Sequence, residues 1–437
     1  MASPGAQTLN DPYAPSSGNG GYRVEHYDID VTYKMGAGRL SGIAAIQAVA
    51  TQELSRFTLD LVTLRATKVA VNGERIKTFS QTATKLAVTP PRHLAAGESF
   101  EVAIEYAGAP TPRSTHWGSV GWEDLEDGVL VASQPTGAPT WFPCNDHPSN
   151  KATFDIRIGC DRLYTVAASG TLQSTRLDGG NKIWHYRQSE PTATYLAALC
   201  IGKFELQQTV RSGIDVTYSY PKAIEHRVFS DLESTDDMLA FFSEVFGPYP
   251  FENYTIVVTP DDLEIPLEAQ NLAIFGANHM DGKGGEERLV AHELAHQWFG
   301  NSVGLRRWQD IWLNEGFGCY AEWLWSEANG GPATDELARH FHSVLAKLPQ
   351  DIILGDPTPA LMFDDRVYKR GALTLHALHH RLGSDVFFAL VRDWTQTYRH
   401  SIAGTDEFRA MAAKHSPNNL DRFFEAWLEK PLLPALP

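Results

Sequence analysis

Between residues 20 and 204 apolar and polar positions alternate with a period of two, as in strands with one buried face. HYDIDVTY at 26–33 sets the pattern, and KLAVTP, SFEVAIEYAG, ATFDIRIGC, LYTVAASG, KIWHYRQ and TYLAALCIG repeat it. Asn72-Gly73, between TKVAV and ERIKTF, predicts a two-residue hairpin turn. Strands at this spacing, broken by Gly, Pro and Asn, predict an antiparallel, sandwich-like unit. After 204 the period lengthens. STDDMLAFFSEVFG at 234–247 has a Ser/Thr start and a Gly stop, as a helix does, and YTIVVTP at 254–260 is a short strand. Helical spacing then predicts helices near 286–300, 314–329, 333–348, 367–382, 384–398, 405–415 and 419–429, before PLLPALP ends the pattern. The expected fold class is α+β: a flexible lead-in at 1–20, an N-terminal β domain at 21–204 and a mainly helical domain at 205–437.

One predicted helix carries chemistry. Residues 292–296 read His-Glu-Leu-Ala-His, and Glu315 follows after eighteen intervening residues. Positions four apart share a helix face, so His292 and His296 can turn their imidazoles to one metal ion. Glu293 lies on the flank of the same turn, within reach of a water on that metal. Two imidazoles and one carboxylate leave a fourth zinc position open, the pattern of a catalytic zinc site. Glu322 follows Glu315 by seven residues on the same helix face and is expected to support a zinc histidine. His376, His379 and His380, and His340 with His342, are expected to be surface or core residues, with no carboxylate at metal spacing. His26, Asp28 and Asp30 share a strand face that is expected to be solvated.

Composition narrows the partners. A chain of 437 residues has room for two or three domains, and 43% hydrophobic with 21% charged residues is ordinary for a globular protein. The formal net charge of −16 argues against nucleic acid or an anionic membrane as main partner and is compatible with a cationic group such as a peptide amino terminus. No run of apolar residues is long enough to span a membrane, and the first 20 residues lack the basic and apolar regions of a secretory signal. Cys144, Cys160, Cys200 and Cys319 show no paired spacing, so reduced thiols and a cytoplasmic location are expected. Cys319, four residues after Glu315, is expected to be a small core residue and not a ligand.

HELAHQWFGNSV followed by WLNEGF resembles the aminopeptidase N-type zinc metallopeptidases, the gluzincin group that also contains leukotriene hydrolase. FPCNDHPSNKATF at 142–154, FFSEVFGPYPF at 241–251, VYKRGA at 367–372 and the start at 11–31 fit that family too. The resemblance implies a saddle-like β domain followed by a thermolysin-like catalytic domain, in a compact two-domain form with a more open cleft. It implies one zinc ion and peptide substrates with a free N-terminal amine. Tyr368 falls at the family's catalytic tyrosine, and Gln134 at a second amine-binding position. The family's GAMEN string is reduced here to IPLEA at 265–269, keeping Glu268 as the amine anchor, with Glu264 as its competitor. The implied chemistry is removal of single N-terminal residues, with Glu293 as general base and Tyr368 sharing the oxyanion with the metal. Epoxide hydrolysis on the same scaffold, or a non-catalytic interaction protein, are the alternatives; retention of the whole residue set argues against the second.

Overall fold

The alternation at the start of the chain builds a long strand, Tyr22–Lys34, that buries Tyr22, Val24, Tyr27, Ile29, Val31 and Tyr33. In the computed structural model, which describes residues 2–437, it lies inside an eight-stranded sheet. The expectation of antiparallel pairing needs one correction. Tyr22–Lys34 pairs antiparallel with Arg39–Ala50 but parallel with Lys151–Asp161. Period-two alternation is the same in both arrangements, so it does not distinguish them. A five-stranded and a four-stranded sheet complete this half around one apolar core. On the outward face His26 meets Thr153 at 2.7 Å, while Asp28 accepts from Arg157 and Asp155 accepts from His185 and Arg187. The face is polar and ion-paired, with Asp30 exposed and His26 and Asp28 half-buried, where a solvated face was expected.

Within the predicted lead-in, the described residues 2–20 depart from expectation. Ser3–Pro4 pairs with Leu54–Asp60, and Asp11, Tyr13, Ala14 and Asn19 are buried. The Tyr13 hydroxyl donates to Asp356 at 2.6 Å, and Asn19 Nδ2 donates to Asp60 at 2.7 Å. Its Gly, Ser and Pro content signals irregular backbone, and side-chain hydrogen bonds hold that backbone in place.

Leu199–Gly202 closes a sheet of the first half, and Glu205–Arg211 opens the sheet of the second. That second sheet is mixed, in the order Glu205–Arg211, Ile214–Tyr220, Asn253–Val258, Leu272–Phe275, Leu267–Ala269. Its outermost strand, Leu267–Ala269, runs antiparallel to Leu272–Phe275 with Glu268 opposite Ala273. Nine helices follow the chain among the described residues: α1 (Glu225–Asp231), α2 (Thr235–Phe246), α3 (Glu287–Ala295), α4 (Trp312–Ala328), α5 (Thr334–Leu345), α6 (Asp365–Leu382), α7 (Ser384–Thr397), α8 (Thr405–His415) and α9 (Asp421–Phe424). They share one core rich in Trp and Phe. No helix is long and apolar enough to cross a membrane among the described residues, and all four cysteines are free and buried.

The helix expected at 286–300 stops at Ala295, with His296 as its helical-backbone cap. Gly300 then turns at φ +112°, where a side chain would strain the backbone. In this turn Gln297 donates to the Ala269 carbonyl and accepts from the Asn271 amide, and Asn301 donates to the Ala269 carbonyl at 2.8 Å. Polar side chains therefore leave the helix to fasten the neighbouring edge strand.

Candidate active site

Helices α3, α4 and α6 approach closely, and three glycines permit it. A Cβ on Gly316 would lie 2.9 Å from the Gly371 Cα, and one on Gly371 would lie 2.7 Å from the Gly316 Cα, so α4 and α6 touch backbone to backbone. A Cβ on Gly318 would lie 2.8 Å from the His292 ring, which rests flat in the space that glycine leaves. The residues around Tyr368 clamp α6. Lys369 reaches Cys319 Sγ at 3.3 Å and lies over the Phe341 ring; buried Arg370 donates to the carbonyls of Trp427, Ile352 and Pro431. The KRG run is thus packing and hydrogen-bonding machinery that fixes the tyrosine before it.

Into this junction project His292, His296 and Glu315, all buried. Each imidazole Nε2 lies 3.5 Å from Glu315 Oε2, and the two rings stand 4.7 Å apart at 74°. The three ligating atoms lie within 4.8 Å of one another. His292 Nδ1 meets Glu322 at 2.8 Å, and His296 Nδ1 donates to the Phe299 carbonyl at 3.0 Å. Both rings therefore turn Nε2 to the common point. Glu293 is 4% exposed, and its Oε2 is buried with no protein partner. The Tyr368 ring stacks on His292 at 6.1 Å between centroids.

Electrostatics follow from packing four carboxylates around two imidazoles. Burial opposes charge on His292, but hydrogen bonding to Glu315 and Glu322 outweighs it and raises the group to about 10. Burial likewise opposes charge at His296, which Glu315 and Glu268 raise to about 9. The two histidines draw Glu315 down to about 2 against its burial. Burial pushes Glu293 up to about 7, against the pull of the histidines. Burial, with Glu315, Glu268 and Glu293 nearby, holds the Tyr368 phenol well above its ordinary range, so it remains a donor. A set this rich in buried carboxylate fits a dication: nitrogen and oxygen donors of zinc type converge, and an unpaired carboxylate oxygen stands beside them.

Glu268 and Gln134 are brought together across 134 residues of sequence, with Gln134 Nε2 donating to Glu268 Oε1 at 2.6 Å. Glu268 also has an oxygen within 4.8 Å of ligating atoms of both Glu293 and His296. Burial raises Glu268 above the usual carboxylate range. The competitor, Glu264, is exposed and stands outside this cluster. Sequence reasoning missed Gln297, Asn301 and the Phe299 carbonyl, whose signal was the polar HQWFGN stretch after the second histidine. It also missed a partner for the later histidines: Asp335 joins His376 and His380, contrary to expectation. Among the described residues His340 and His342 have no such partner; His342 meets the Pro434 carbonyl at 2.8 Å.

Residues 23–196 match the model of the peptidase M1 N-terminal domain, and residues 230–427 match the peptidase family M1 domain. An M1 zinc metallopeptidase from Deinococcus radiodurans is 32% identical, with a TM-score of 0.89 over 99% of this chain and 99% of that one. A mutant of that enzyme has been solved bound to a Tyr-Ser-Ala substrate. Human endoplasmic reticulum aminopeptidase 1 is 27% identical over 87% of this chain and 44% of its own length. Leucyl aminopeptidase from Saccharolobus solfataricus is 25% identical over 95% of this chain and 54% of its own length. The chain spans about half the length of these curated relatives.

Proposed function

From the premise that this chain belongs to peptidase family M1, we propose that it is a zinc-dependent aminopeptidase, removing residues one at a time from the free amino end of peptides. The observation that carries this reading is the Gln134–Glu268 pair beside the His292–His296–Glu315 cluster. An edge-strand carboxylate next to the metal ligands binds an ammonium, and its short distance from them leaves room for a single residue. His292, His296 and Glu315 hold the ion. When bound, zinc supplies Lewis-acid chemistry, polarising a carbonyl and acidifying water.

This chain's residues do the rest. Glu293 Oε2 takes the proton of the attacking water and delivers it to the leaving amine. The Tyr368 hydroxyl donates to the oxygen that becomes negative as the carbonyl is attacked. Glu268 pairs with the ammonium, while Gln134, a neutral amide, adds an acceptor oxygen without charge once its amide turns to the ligand. Glu322 holds His292 in the orientation that presents Nε2. We also assign the protein to the cytoplasm, which its four free thiols support.

Aminoacyl fluorogenic substrates should be hydrolysed, N-acetylated ones should not, and a chelator should abolish turnover until zinc is restored. Equal hydrolysis of blocked and free substrates would end the exopeptidase reading. Glu322→Gln is expected to weaken zinc affinity about 10–100-fold. Chelator competition reads that constant, and added zinc should restore most of the turnover; unchanged affinity would remove Glu322 from the metal centre.

A further inference from the structure

A second pair of histidines repeats the geometry of the first. His376 and His380 are four apart on α6, with rings 4.6 Å apart at 67°, against 4.7 Å and 74° for His292 and His296. In both places a carboxylate from another helix stands before the two Nε2 atoms. Here it is Asp335, in the first turn of α5, with Oδ1 3.3 Å from His376 Nε2 and 2.7 Å from His380 Nε2. All three ligand atoms lie within 4.8 Å of one another. Arg339 approaches only the other oxygen, Oδ2, at 3.8 Å, so Oδ1 is left to the imidazoles.

We propose that Asp335, His376 and His380 form a second binding site for a divalent transition metal, remote from the substrate and open to solvent. The donor set of two imidazoles and one carboxylate suits Zn²⁺, with Co²⁺, Ni²⁺ and Cu²⁺ as alternatives of the same class. The two sites differ in their surroundings. His376 is buried, but the His380 and Asp335 side chains are 42% and 49% exposed, so water completes the coordination. Among the described residues no carboxylate backs these rings as Glu322 backs His292. The buried Nδ1 of His376 has no hydrogen-bond partner among the described residues, and His380 meets Asp335 through Nε2 at 2.7 Å. The site is therefore weaker than the catalytic one, with a dissociation constant on the order of micromolar. An ion there ties the start of α5 to α6, the helix that carries Tyr368 about 12 Å towards its amino end.

The probe is Zn²⁺ alone. The full chain is dialysed against zinc well above micromolar, and bound metal is counted by plasma mass spectrometry. The wild type should hold two zinc ions per chain. His380→Ala and Asp335→Asn should each hold one, with aminopeptidase turnover retained as evidence that the fold and the first site survive. Excess zinc should raise the unfolding midpoint of the wild type and leave that of His380→Ala unmoved. A wild type that holds only one ion overturns the proposal. So does a second ion retained by both variants, since it would lie elsewhere.

Discussion

Replacing Glu293 with Gln is expected to lower kcat by about 10²–10⁴-fold, the usual contribution of a general base, while zinc content stays at one per chain before excess metal is added. The structure separates these two readouts. His292, His296 and Glu315 are the proposed ligand set, and Glu322 and the Phe299 carbonyl hydrogen-bond to the two histidines. Glu293 belongs to the same helix turn as His292 but offers its unpartnered Oε2 to the space beside them. A glutamine has almost the same volume, so the buried position stays filled, yet its amide cannot take a proton from water. Burial also pushes the Glu293 carboxyl above its ordinary range, the direction that strengthens it as a proton acceptor. Turnover on an aminoacyl substrate and metal content should therefore part company in this variant. Near-normal turnover would remove Glu293 from proton transfer. Parallel loss of zinc and activity would make it part of the metal site instead.

The parts of this centre that were legible in the sequence are those governed by helical period. His292 and His296 share a face because the backbone advances 3.6 residues per turn, and Glu322 follows Glu315 by the same rule. Contacts across elements have no period. Gln134 and Glu268 came from resemblance alone, and nothing between residues 134 and 268 announces that the turn carrying Gln134 meets the edge strand carrying Glu268. Asp335 escaped notice as the partner of His376 and His380 because α5 must first pack on α6, whose His376 lies 41 residues after Asp335 in the chain. The end of α3 was overrun because Gln297 is compatible with a helix by propensity; its side chain, with that of Asn301 just past the predicted end, instead serves Ala269 and Asn271. The lead-in failed for a related reason: composition marks irregular backbone but does not distinguish free from fastened.

Glu268→Ala is expected to have the second large effect, and a selective one. Removing one partner of a buried charge pair costs about 2–5 kcal/mol, which corresponds to a loss in kcat/KM of roughly 30- to 5000-fold for free-amine substrates. The loss should fall heavily on KM, because the ammonium is held in the ground state as well as in the transition state. Zinc affinity should change little, since Glu268 contacts Gln134 and not the ligands' backing groups. The fold should also tolerate the change: the backbone of Leu267–Ala269 is held by its pairing with Leu272–Phe275 and by Gln297 and Asn301 at the Ala269 carbonyl, none of which needs the Glu268 side chain. Glu268→Gln keeps an acceptor but removes the charge, and should fall between wild type and Glu268→Ala. The altered IPLEA string makes this the most exacting test of the amine anchor, because the family's flanking Gly and Asn are absent and the edge strand must be supported by Gln297 and Asn301. If Glu268→Ala cleaves free-amine substrates as well as the wild type does, the anchor lies elsewhere and the exopeptidase geometry must be rebuilt around another acidic group.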